Sequence, residues 1–257
     1  MRPPHVVLST LCATAAMLSL IVLGENRACA EESAAPTTCP APAGSSLTLA
    51  ATDAALRLAF IRAHMDDQAV RSRTWSRGWG IAGAALIAEG VIQAVRASNA
   101  ADRTDEIVGG SSSMLIPLFI LLQPPSVLAD QAELEATITQ SSDLCASLVR
   151  AEEFLARDAN DEAMTTGTLA HVTGIGFNVA LGLVLGLGFG HWKGAASVGG
   201  GGIVISEVQL LTKPRGAIRA LERYRQGDLS SLNASHHWFV APVISSSALG
   251  AYVVIAF

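Results

Sequence analysis

Four polar residues, Glu89, His171, Asn178 and Glu207, lie inside stretches of sequence that are otherwise apolar. Ionisable groups are costly in hydrocarbon, so residues of this kind are the first candidates for function. Counted along helices rising 1.5 Å per residue, Glu89 and Asn178 both come to lie roughly 15 Å deep. His171 stands three residues into its stretch and Glu207 four or five from the end of its own, so these two share a shallower level. The expectation is two depth-matched pairs, Glu89 with Asn178 and His171 with Glu207. Mutual hydrogen bonding is the simplest role for each pair, and a proton or ion path is the functional alternative.

The remaining chemistry-bearing residues are less convergent. His64, Asp66 and Asp67 form one group and His236–His237 another. Neither has a third ligand at fixed spacing, so both read as solvated surface, and no metal or cofactor is implied. A phosphate loop, a G-x-S-x-G and an H-E-x-x-H are all missing from the sequence. The glycine run 199–202 lacks the Lys-Ser/Thr that follows in a nucleotide loop, and Gly182, Gly186 and Gly190 recur at every fourth position. Both features favour close approach of neighbouring helices. Cys39 and Cys145 would be the only cysteines left after removal of a leader, and export would put them in an oxidising compartment. They read equally as a disulfide or as two inert thiols.

The elements that must position these residues are helical and apolar. The chain of 257 residues is 50% hydrophobic and only 15% charged, against about 25% charged in ordinary soluble domains. Residues 1–30 carry Arg2, an apolar run from Val6 to Gly24 and a terminal Ala28-Cys29-Ala30, the parts of a signal peptide cleaved after Ala30; an uncleaved anchor is the alternative. Residues 31–46, with Pro36, Pro40 and Pro42, read as a disordered linker. A polar helix is expected from 47 to about Arg73. Four apolar stretches follow, Gly78 to Val95, Ile107 to Leu122, Thr168 to Gly190 and Ala195 to Leu211. These would span roughly 24 to 35 Å, against a hydrocarbon core of about 30 Å.

The chain also overlays on itself. Shifted by 94 positions, Phe60, Asp67, Ala69, Thr74, Gly80 and Ile81 meet Phe154, Asp161, Ala163, Thr168, Gly174 and Ile175. Shifted by 90, Val108-Gly109-Gly110 meets Val198-Gly199-Gly200 and Pro124 meets Pro214. The fold class expected is therefore an all-α membrane protein built from a duplicated unit, one polar helix plus a hydrophobic helical hairpin, giving four membrane helices. The first repeat covers 47–125 and the second 126–227. The tail 228–257 reads as a small β-hairpin, with a fifth membrane helix as runner-up. The segment Pro214 to Gly227 is a basic amphipathic helix suited either to an anionic membrane surface or to packing on its neighbours.

Each repeat holds an even number of apolar helices, so both polar helices share one face of the membrane. A cleaved signal makes that face periplasmic, although it carries most of the arginines and positive charge normally stays cytoplasmic. The product expected is a protein of the bacterial inner membrane, with a soluble periplasmic bundle as the alternative. A non-enzymatic scaffold or accessory component fits best, its partners being the bilayer and another envelope protein on the polar face, with no nucleic acid. A small solute or ion carrier using Glu89, His171 and Glu207 comes second and an exported enzyme third.

Overall fold

The computed structural model describes residues 37–230, 237–244 and 249–256. The expected signal peptide, the first part of the linker and His236 lie outside the described residues. Between 37 and 230 the fold is all-α. A short helix α1 (Leu47–Ala51) precedes four long helical rods joined by loops of three residues. Rod 1 is a single helix, α2 (Ala54–Arg96). Rod 2 stacks α3 (Ala100–Ser113), α4 (Leu115–Leu122) and α5 (Ser126–Gln140). Rod 3 joins α6 (Leu144–Thr166) to α7 (Thr168–Leu183) and a π-helical turn, Val184–Gly188. Rod 4 joins α8 (Trp192–Thr212) to α9 (Ala217–Gln226). Loops this short force neighbouring rods to run antiparallel. All four rods are long and apolar enough, by length and composition, to cross a membrane.

Each rod is polar in one half and apolar in the other, so the bundle has a polar head and an apolar stem. The head comprises α1, the first half of α2, α5, α6 and α9. Its core is Leu58, Ile61, Met65, Leu134, Leu148, Phe154, Leu155 and Tyr224. Leu58, Ile61 and Met65 recur at helical spacing, and the same buried stripe continues through Ser72, Trp75, Trp79, Gly83 and Gly90. The stripe never resets near Arg73, which is why α2 is unbroken where a boundary was expected. Asp53, Asn99 and Asp143 start α2, α3 and α6 by accepting backbone N–H bonds, the usual N-cap device.

The breaks in the other rods have local causes. Pro117 lacks an N–H and its ring opposes the carbonyl four residues earlier, at Ser113, where α3 gives way to α4. The second polar helix, expected over 126–165, is broken as well, between Gln140 and Leu144, because the chain must turn at the top of the head. The expectation of a disordered linker fails for residues 37–46. Cys39 is buried and disulfide-bonded to Cys145 at the start of α6, and Ala54 N–H donates to the Thr37 carbonyl. The segment after Pro214 also departs from a membrane-surface helix. Ala217, Ala220 and Tyr224 pack into the head core, so α9 stands upright against α6.

Candidate functional site

In the stem, Trp79 on α2 donates its indole N–H to Thr212 Oγ1 on α8 at 3.0 Å, which sets a common level for rods 1 and 4. Glu89 lies ten residues below Trp79 and Gly202 ten residues below Thr212, so both stand about 15 Å from that level. A cleft of about 430 Å³ opens there, between α2, α3 and α8, and runs to the loop end of the stem. Its walls include Glu89, Gln93, Asp102, Asp105, Glu106, Lys193 and Ser197. Glu89 accepts a hydrogen bond from Gln93 Nε2 at 2.7 Å.

Two contacts that spacing does not reveal border the cleft. The backbones of α2 and α3 touch at Gly90 and Gly110, where a Cβ on Gly90 would come within 2.6 Å of the Gly110 Cα. His191, in the turn between rods 3 and 4, places Nδ1 at 2.9 Å from Asp105 Oδ1 on α3. Gly194 makes room for that carboxylate, since a Cβ there would stand 2.1 Å from Asp105 Oδ2. The partners His191 and Asp105 are 86 positions apart in sequence, too far for any local pattern to announce them.

His171 and Glu207 are brought together across α7 and α8, with Nδ1 to Oε2 at 2.7 Å. Glu207 Oε1 is shielded and has no hydrogen-bond partner. Glu89 and Asn178 do not pair. Equal depth fixes height and not azimuth. Glu89 faces the cleft, while Asn178 points at α8, where a Cβ on Gly202 would meet its Oδ1 at 1.9 Å. Asn178 Nδ2 donates instead to the Gly174 carbonyl at 2.8 Å and to Ser206 Oγ at 3.3 Å. The glycine stripe also divides. Gly182 packs against Ala195 and Gly199, and Gly186 lies under the Trp192 ring. Gly190 has φ +73° and serves the turn, because the π-helical turn at Val184–Gly188 breaks the four-residue repeat. In the glycine run, Gly199 and Gly202 meet rod 3 while nothing approaches Gly200.

The head holds a polar cluster absent from the expectations. On α6, Asp158 is 6% exposed and accepts from Ser126 Oγ at 2.9 Å; Asp130 on α5 is 3% exposed and pairs with Arg157 at 2.9 Å. Glu162 Oε2 accepts the N–H groups of Gly216, Ala217 and Ile218 at 2.9, 2.6 and 3.3 Å, an anionic cap on the start of α9. Burial pushes Asp158 up to about 7, and it lowers His64 to about 4. His64 is 2% exposed with both ring nitrogens unpartnered, beside Gln68 and Gly216. Of its expected companions, Asp66 bonds Gln131 at the surface and Asp67 pairs with Arg71. Among the described residues no three His, Cys, Asp or Glu side chains converge as a metal site. One signal was legible: His64, Gln68 and Ser72 follow the period of the buried stripe of α2 and are polar where apolar residues belong.

At the top of the head, Arg57 is fully buried. It donates to Tyr224 Oη at 3.0 Å, to the Cys39 carbonyl at 2.8 Å, to the Pro40 carbonyl at 3.1 Å and to Glu152, which Tyr224 also contacts. This network ties the N-terminal segment to three helices of the head.

No protein-family model, curated protein or solved structure matches this chain.

Proposed function

We propose that the protein is an integral membrane protein of the bacterial envelope that binds a small polar solute or ion in the stem cleft. The observation that carries this reading is the cleft itself, about 430 Å³ of polar-lined space reaching Glu89 inside an apolar stem. Irregular or charged surface is tolerated at that depth where it lines a water-filled cavity. The cleft is tested by Ser197→Cys. A membrane-impermeant maleimide must label it from the loop side, and Glu89→Gln must reduce solute or ion flux in vesicles. An unreactive thiol at position 197 would mean a closed, dry cleft and would end this reading.

A scaffold role is the second reading, favoured by the head. Its core is packed, the Cys39–Cys145 disulfide ties its top, and exposed Leu56, Val70 and Val149 decorate its surface. Neutralising Glu89, His171 and Glu207 separates the two readings, since only a carrier must lose flux.

The proposal includes a duplicated unit, residues 47–125 and 126–227, each copy holding a polar helix followed by an apolar hairpin. The two ungapped sequence offsets and the common order of polar and apolar halves support it. A C-terminal hairpin is part of the same proposal, supported by antiparallel pairing of backbone from His237–Ile244 with Leu249–Ala256. The disulfide supports a periplasmic head behind a cleaved signal peptide, because cysteines oxidise on that side.

A further inference from the structure

The floor of the head contains more buried carboxylate than buried cation. Asp130 on α5 and Asp158 on α6 are 3% and 6% exposed, and each carboxyl acts electrostatically on the other. Arg157 reaches Asp130 Oδ1, and the single hydroxyl proton of Ser126 serves Asp158 Oδ1 or Asp161 Oδ2, at 2.9 and 3.3 Å. What remains is one oxygen on each aspartate, Asp130 Oδ2 and Asp158 Oδ2, both shielded and both without a donor. A buried carboxylate oxygen needs a donor, and the neighbouring side chains supply none to either atom. Beside Asp158, between α2, α5, α6 and the segment entering α9, a cavity of about 40 Å³ leaves room for a few waters.

We propose that Asp130 and Asp158 form a carboxyl–carboxylate pair that binds one proton between Oδ2 atoms and acts as a pH-sensitive latch between rods 2 and 3. The other charged groups around the pair do not remove the need for that proton. Glu133 on α5 and Asp161 on α6 add negative charge, Glu162 is taken up by the start of α9, and Lys213 faces Asp161 and Glu162. Gln68 and Ser72 of α2 bring no charge to the cavity. When the pair deprotonates, the proton leaves through the cavity to water. Two full charges then share Arg157, which already pairs with Asp130. The sign is fixed by the raised folded-state value of Asp158. Its stabilisation is complete below 3.8 and is lost as pH rises through about 7.

The test is infrared difference spectroscopy of the full chain in lipid nanodiscs between about pH 6 and about pH 9. One buried carboxylic C=O band per molecule must disappear as pH rises, with a midpoint near 7. Asp158→Asn and Asp130→Asn must each abolish the whole band, because either leaves an amide hydrogen in place of the shared proton. The fall in thermal midpoint across the same pH range must vanish with the band. Loss of the band in Asp158→Asn alone would overturn sharing, since the proton would then belong to one residue. If a variant fails to accumulate, the wild-type spectrum still decides, because absence of the band at about pH 6 overturns the proposal.

Discussion

Arg57→Met removes the charge that pairs with Glu152 at the top of the head while keeping much of the side-chain length. The Glu152 side chain is 10% exposed, so its carboxylate cannot recover its hydration. The Cys39 and Pro40 carbonyls lose their donor at the same time, and among the described residues Tyr224 remains as the hydrogen-bond partner of the stranded carboxylate. Breaking a buried pair on one side costs about 3–5 kcal/mol. For a urea slope of about 2 kcal/mol/M, that is a midpoint shift of roughly 2 M. Trp75 and Trp79 sit where the head meets the stem, packed on Ile116, Ile120, Ile205 and Val208, and report unfolding by fluorescence in nanodiscs. Adding Glu152→Gln to Arg57→Met must restore a large part of the loss, because the penalty lies in the unpaired charge. A single variant within about 1 kcal/mol of the parent would show that water reaches Glu152, and the buried network would no longer explain how residues 37–46 are held.

Three further outcomes follow from particular contacts. Glu207→Ala must lower folded protein in the membrane fraction more than Glu207→Gln, since the amide oxygen still accepts from the His171 imidazole; equal loss in both would show that the charge itself is required. Gly194→Val must displace Asp105 and break its contact with His191, loosening the loop end of the cleft, which reads out as faster maleimide labelling of the Ser197→Cys thiol; an unchanged rate would show that the contact does not restrict access to the cleft. His64 is neutral in the fold, its value lowered from 6.5 to about 4 chiefly by burial, with Arg71 adding to the effect. Its contribution is present above 6.5 and is lost as pH falls towards about 4, on the order of 3 kcal/mol, so His64→Gln must flatten the acid limb of head stability.

The sequence carried the rods well and the contacts between them unevenly. Apolar runs of membrane length, broken by charged segments at regular distance, are enough to lay out four rods with polar and apolar halves. The His171–Glu207 contact was legible because a loop of three residues, Phe189 to His191, forces α7 and α8 side by side. Glu89 and Asn178 matched equally well in depth and face different neighbours, since depth leaves rotation about the helix axis open. Asp105 with His191, Gly90 with Gly110 and Arg57 with Tyr224 join elements distant in sequence, and only tertiary packing brings them together. The polar interior of the head is legible from period alone, because His64, Gln68 and Asp158 occupy buried positions of their helices.

The central claim is that four rods cross a bilayer with the head on one side and the three-residue loops on the other. Ser98→Cys and Ala136→Cys place single exposed thiols at those two ends, and labelling intact cells with a membrane-impermeant maleimide tests them together. Opposite reactivity is predicted, with the Ala136→Cys thiol labelled from outside and the Ser98→Cys thiol only after the membrane is permeabilised. Equal labelling of both thiols in intact cells, with the protein released by carbonate, would contradict a spanning stem and leave a soluble bundle in its place.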